Sequence, residues 1–146
     1  MAEPGGIQVS KSKKNKTKYK YQEVGGCDPA TGRIQELKEY TAHELPSRAK
    51  WIVRVREGMV LVPNHRNSIA SGRAPVLITE EHDGIVITSR FIPLFCKVPS
   101  NYVYHILNLE IVKGKLLTTV TGSSSTERGE ARLNGKNIKY KAFQML

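Results

Sequence analysis

Six lysines fall within ten positions near the start of the chain: Lys11, Lys13, Lys14, Lys16, Lys18 and Lys20. No acid interrupts them, and Tyr19 and Tyr21 alternate with the last two. An ammonium group is a compact point charge that pairs with phosphate oxygens. Tyrosine rings set between such charges can stack on nucleic-acid bases while the lysines hold the backbone. The chemistry this stretch can do is therefore the binding of a polyanion. Further along, Arg54 and Arg56 stand two positions apart, on the face of an alternating segment opposite Trp51, Val53 and Val55. Arg66 and Arg73 lie in a polar loop without an acid, and Lys139 and Lys141 alternate with Ile138 and Tyr140. Together these residues form the candidate nucleic-acid-binding set.

Bond-making chemistry finds no comparable pattern. There is no phosphate-cradling P-loop, no dinucleotide fingerprint and no nucleophile elbow. His43, His65, His82 and His105 are too widely spread for local metal-ligand spacing. Glu80-Glu81-His82-Asp83 is the densest titratable cluster, and it has the composition of a solvated turn. His105 alternates with Val103 and Leu107, as a core or edge histidine would. No catalytic residue, metal or cofactor is expected, and an enzyme is not the expectation.

Charge sets the class of partner. The 146 residues carry a formal net charge of +10. The six lysines and one glutamate of residues 1–22 supply half of it, and residues 23–146 supply the rest. A basic body joined to a basic segment points to nucleic acid or to an anionic membrane surface. Cys27 and Cys96 stand far apart with no CxxC, and no apolar leader precedes them. Two free thiols in a reducing, intracellular compartment, or within a virion, are expected, without classical secretion. No run of about 20 apolar residues is present to cross a membrane.

The elements that must position these groups read as β-rich. The lysine run has no apolar residue before Tyr19, and residues 1–10 are a Gly/Pro-containing lead with little to order it, so residues 1–22 are expected to form a disordered basic arm. Residues 23–146 are expected to form one β-rich domain. The turn Cys27-Asp28-Pro29-Ala30-Thr31-Gly32-Arg33 suits a bulged hairpin loop between strands over Tyr19–Gly25 and Arg33–Tyr40. A short helix near 33–45 is the competing reading, because Ile34, Leu37 and Leu45 share a helical face and Pro46 would end it. Lys50–Val62 alternates as a half-buried strand broken at Gly58. Val76–Thr79 and Ile85–Thr88 flank Asp83-Gly84 as a hairpin. Phe91–Val98 contains Pro93, which assigns it to an edge or bent strand. Tyr102–Val112 and Lys115–Thr121 flank Lys113-Gly114 as another hairpin, and Ala131–Leu133 with Asn137–Phe143 form the last.

The resulting expectation is an all-β, mainly antiparallel sandwich or barrel of hairpins behind a disordered basic arm. In architecture alone, this plan resembles that of small viral coat proteins. The function it implies is a nucleic-acid-binding structural subunit of coat or nucleocapsid type, whose β body self-assembles. RNA or single-stranded DNA is expected ahead of duplex, with binding nearly indifferent to sequence, and homo-oligomers are expected. The alternative is a matrix-type peripheral protein that binds anionic membranes through the same arm and face.

Overall fold

The computed structural model describes residues 2–10, 14, 16–45 and 51–121. Among the described residues, twelve regular elements follow one another: β1 (Ala2–Pro4), β2 (Ile7–Ser10), β3 (Lys18–Gln22), β4 (Lys38–Thr41), β5 (Trp51–Arg54), β6 (Val60–Pro63), α1 (Arg66–Ala70), β7 (Val76–Leu77), β8 (Val86–Ile87), β9 (Phe91–Cys96), α2 (Ser100–Leu107) and α3 (Glu110–Thr121). Short 3-10 turns lie at Val24–Gly26, Ala42–Glu44 and Glu80–His82. One sheet has the strand order β1-β9-β6-β7, and the other β2-β5-β8-β3-β4. All pairings are antiparallel except β3 with β8, which is parallel. The architecture is α+β, which overturns the all-β sandwich or barrel.

Burial explains the layering. Along β6, Val60 and Val62 turn one way and Leu61 the other, as strand alternation requires. Val60, Val62, Ile92 and Leu94 pack under the helices against Val103, Ile106, Leu107, Val112 and Leu116. Leu61 and Phe91 join Val55, Met59, Val76, Ile78, Ile85 and Ile87 in a second cluster. A third, smaller cluster holds Tyr21, Leu45 and Val86. Each large aliphatic side chain so enclosed contributes roughly 1.5–3 kcal/mol relative to exposure.

The largest departure from the sequence reading is at 100–121. The expected hairpin around Lys113-Gly114 is instead the helix pair α2 and α3. Val103, Ile106 and Leu107, then Val112 and Leu116, recur at helical spacing and are all buried. Gly114 lies within α3 with no heavy atom near where a side chain would be. It costs the helix about 1 kcal/mol relative to alanine, too little to break it. The 63–73 loop also contains a helix, α1, whose Ile69 joins the cluster beneath α3.

Two strand pairings differ as well. The strands on either side of Asp83-Gly84 do not pair with each other. β7 joins β6 in one sheet, while β8 joins β5 and β3 in the other. The segment through Val55 and Met59 passes between sheets, bending at Gly58 (φ 84°), and Ile78 and Ile85 follow it. Val55 N–H donates to Ile85 O at 2.9 Å, and Ile78 N–H donates to Met59 O at 2.9 Å. β9 is an interior strand, flanked by β1 and β6, rather than an edge. Pro93 has no N–H to give there, but its carbonyl accepts the Gly5 N–H at 2.9 Å.

The hairpin between β3 and β4 forms as its turn chemistry requires, with Lys18 opposite Thr41 and Tyr21 opposite Lys38. Asp28 accepts from the Thr31 hydroxyl at 2.7 Å, and Gly32 adopts φ 72°. In place of the competing helix near 33–45 there is only the 3-10 turn Ala42–Glu44. Within the span expected as a disordered arm, residues 2–4, 7–10 and 18–22 are sheet strands. Tyr21 supplies the anchor: it is 3% exposed and meets Tyr40 edge-on, with ring centroids 6.0 Å apart. Lys11–Lys13 and the expected 131–143 hairpin lie outside the described residues. Among the described residues, no helix is long and apolar enough to cross a membrane.

Candidate nucleic-acid interface

The sequence candidates divide by what holds them. Lys11, Lys13, Lys139 and Lys141 lie outside the described residues. Lys14 and Lys16 are exposed, as are Lys18 and Lys20 on β3. The Lys18 ammonium lies 3.8 Å from the Glu39 carboxylate across the hairpin, an exposed pair worth at most about 1 kcal/mol. Tyr19 is half-buried beside the third cluster, and Tyr21 is inside it. Burial raises the Tyr21 phenol above its ordinary pKa, against a hydrogen bond with the Thr88 side chain that lowers it.

Three of the arginine candidates are tied to the fold. Arg54 Nε donates to Gly84 O at 3.1 Å. Arg56 Nη1 lies 3.5 Å from Asp83 Oδ2, while Asp83 Oδ1 accepts the Glu57 N–H at 2.8 Å. Arg73 Nη1 donates to both Val24 O and Cys27 O, at 3.1 and 3.2 Å. Arg66, at the first position of α1, is half-buried, and its guanidinium makes no hydrogen bond or ion pair among the described residues.

Strand register determines which of these residues meet. β3 pairs with β8 so that Gln22 stands beside Ile87. Thr88-Ser89-Arg90 then leads out of β8 into β9. Val53 of β5 stands opposite Ile87, and Ser10 of β2 stands opposite Trp51. Ser10 therefore lies at the Thr88 end of its sheet. In the other sheet Pro63 stands opposite Phe91, which brings Asn64 next to Arg90. One end of the molecule thus gathers Ser10, Gln22, Thr88–Arg90 and Asn64–Arg66. Lys18, Gly84, Arg54 and Arg56 lie towards the other end.

Hydrogen bonds from both sheets fix the 88–90 segment. Thr88 N–H donates to Gln22 O at 3.2 Å, and Asn64 N–H donates to Arg90 O at 2.9 Å. Asn64 Nδ2 donates to Ser89 O at 2.8 Å. Phe91 N–H closes the turn onto Thr88 O at 3.2 Å. Ser89 and Arg90 are exposed at its tip.

Two long stretches of the surrounding chain lack acids, although Glu23, which follows Gln22 at this end and pairs with Lys38 at 3.2 Å, is close by. Residues 58–79 and 84–109 contain none, and they hold Arg66, Arg73, Arg90 and Lys97. These two stretches form β6, β7, β8, β9, α1 and α2, so the fold stacks them together. Arg90 and Asn64 were absent from the sequence candidates. The acid-free run through 84–109 is the signal that could have pointed to Arg90.

Other chemical features are sparse. Among the described residues, no group of three or more His, Cys, Asp or Glu side chains is arranged to hold a metal ion. His105 is exposed on α2, edge-on to Tyr104 at 5.5 Å, instead of buried in a strand. A groove of about 390 Å³ lies towards the end away from Arg90. Ile7, Met59, Phe95 and Cys96 line it, with Arg56 and Glu57. Phe91 is buried, whereas Phe95 is 51% exposed beside this groove.

No protein-family model and no curated protein matches the sequence. Among the solved structures that resemble the fold are the following two. One is a chain from a study of complex assembly and conformational transition in the type I restriction–modification system. It aligns at TM-score 0.73 and 17% identity over 97% of this chain and 34% of that one. The other is the HsdS subunit from Thermoanaerobacter tengcongensis, at TM-score 0.73 and 16% identity over 94% of this chain and 34% of that one. The likeness establishes the fold, and this chain spans about a third of the length of each. It overturns the viral coat or nucleocapsid reading and the matrix-type alternative. The likeness lends no support to the preference for RNA or single strands or to the membrane partner. Within the span expected to be a free arm, residues 7–10 and 18–22 are sheet strands.

Proposed function

We propose that this chain is a duplex-DNA recognition domain of the kind found in type I restriction–modification specificity subunits. The observation that carries the proposal is the shared fold over 97% of the chain, since such specificity subunits bind DNA. The cationic end supports it with exposed Arg90 and the open guanidinium of Arg66. Such a domain reads sequence and holds phosphates without making or breaking a bond. It works as one part of a larger assembly, in keeping with its third-length coverage of the matched chains.

Reading a duplex requires both kinds of contact. Lysine and arginine contacts to phosphate set position and make affinity steep in salt. Base-edge contacts from a rigid scaffold set sequence. The test is selection from a pool of random duplexes, followed by competition with single-stranded DNA and RNA. The expected result is an enriched duplex consensus that neither competitor displaces at equal concentration. Retention without enrichment, or preferential displacement by single strands, would overturn the reading.

A further inference from the structure

We infer that Arg90 reads a guanine in the duplex and that Asn64 is the residue that positions it. The inference rests on the duplex-DNA reading above and deepens it. The guanidinium is a flat fork that matches the two acceptors on the major-groove edge of guanine. A fork discriminates only when its backbone is held in place; otherwise it becomes one more mobile charge among phosphates.

Arg54, Arg56 and Arg73 are committed to Gly84 O, to Asp83, and to Val24 O with Cys27 O. Among the described residues, the guanidiniums of Arg33, Arg66 and Arg90 have no such partner. Arg33 sits in a turn with Asp28 and Glu36 nearby in sequence, so its surroundings are mixed in charge. Arg66 opens α1, a helix of only five residues. Arg90 differs from both. It shares exposure with Arg33 and an acid-free run with Arg66, and it alone of the three combines both with a segment anchored in both sheets, where the neighbouring acid Glu23 is paired with Lys38.

Asn64 is the hub of that anchoring. It donates to two successive carbonyls, Ser89 O through Nδ2 and Arg90 O through its N–H. At 7% exposure its side chain is too enclosed to meet DNA itself. Its Oδ1 has no hydrogen-bond partner among the described residues, so the amide is oriented by its donor to Ser89. Its effect on DNA passes through Arg90.

The experiment measures affinity for the selected duplex and for a scrambled duplex across a salt series. Wild type is compared with Arg90→Gln, Arg90→Lys and Asn64→Ser, each first checked by melting. Arg90→Gln is expected to lower the selected-to-scrambled ratio by roughly 5- to 150-fold, the value of one bidentate base contact. Arg90→Lys keeps the charge and the salt slope but does not restore the ratio. Asn64→Ser lowers the ratio several-fold and leaves the salt slope unchanged, a split that a general loss of folding would not produce. Equal losses on both duplexes in Arg90→Gln, or a consensus whose guanines are indifferent to Arg90, would overturn this inference alone. A wild type that binds no duplex would overturn the reading beneath it.

Discussion

Gly32 lies so close to Pro75 that a β-carbon at position 32 would stand 1.9 Å from the Pro75 carbonyl oxygen. This approach clamps the 28–34 turn to the segment that enters β7. Two further bonds hold the same seam: Ala74 N–H donates to Pro29 O at 2.9 Å, and the Tyr104 hydroxyl donates to Thr31 O.

Gly32→Ala should therefore be far more damaging than Gly58→Ala. Both glycines have positive φ, 72° and 84°, so each substitution carries a left-handed penalty of roughly 1–2 kcal/mol. Only Gly32 adds a clash with backbone; Gly58 has no neighbouring atom within 4 Å of its would-be side chain. Urea unfolding should show a markedly lower midpoint for Gly32→Ala with an unchanged slope. Equal losses at the two positions would mean that the turn does not rest on Pro75.

The arginines should separate into braces and contacts. Arg73→Gln removes charge-assisted bonds to Val24 O and Cys27 O, and should cost roughly 1.5–3 kcal/mol of stability. Its effect on the salt dependence of duplex binding should be small. Arg66→Gln should do the reverse, leaving stability within about 0.5 kcal/mol and reducing the log–log salt slope by about 0.9. Arg54, bonded to Gly84 at the far end, should follow Arg73. A full unit of slope lost in Arg54→Gln would place the DNA across the other end of the sheets.

Cys27 offers a pH test of the core. Burial pushes its thiol up to about 11, with Arg73 acting weakly against that rise. A folded-state pKa above the unfolded value means that the neutral thiol is favoured by folding. Its contribution is complete below the unfolded pKa of about 8.5 and is lost as pH rises through about 11. Denaturant midpoints of wild type and Cys27→Ala should differ by a constant amount up to about pH 8. The difference should then shift towards the alanine variant as the pH approaches 11. A difference independent of pH would mean that the thiol is solvated in the folded protein.

Much of the local structure could be read from the sequence, and the long-range structure could not. Asp28, Thr31 and Gly32 specify their turn within a few residues, so the β3–β4 hairpin was visible. Asp83-Gly84 is an equally good turn signal, yet the strands beside it part company. Ile78 and Ile85 find hydrogen bonds on Met59 and Val55, and nothing adjacent to them encodes that choice. Tyr102-Val103-Tyr104 has strand-like composition, and only the burial of Val103 with Ile106 and Leu107 settles the helix. The interface followed the same pattern. Lysines and tyrosines announced a polyanion partner by composition alone. Arg90 and Asn64 become neighbours only through the register that sets Pro63 opposite Phe91.

The opening residues supply an outer strand to both sheets, β1 beside β9 and β2 beside β5, with Ala2 opposite Cys96. During synthesis that separation becomes a delay. At about 5–20 residues per second, β1 leaves the ribosome roughly 5–20 seconds before its partner exists. Neither sheet can be completed from what has already been made, because each waits for chain still inside the ribosome. Refolding meets the same demand as the entropy of closing a very long loop, a cost that slows folding. The joining of β1 to β9 is thus a late event on both routes, and the interval before it is when the unpaired edge of β9 is open to other strands.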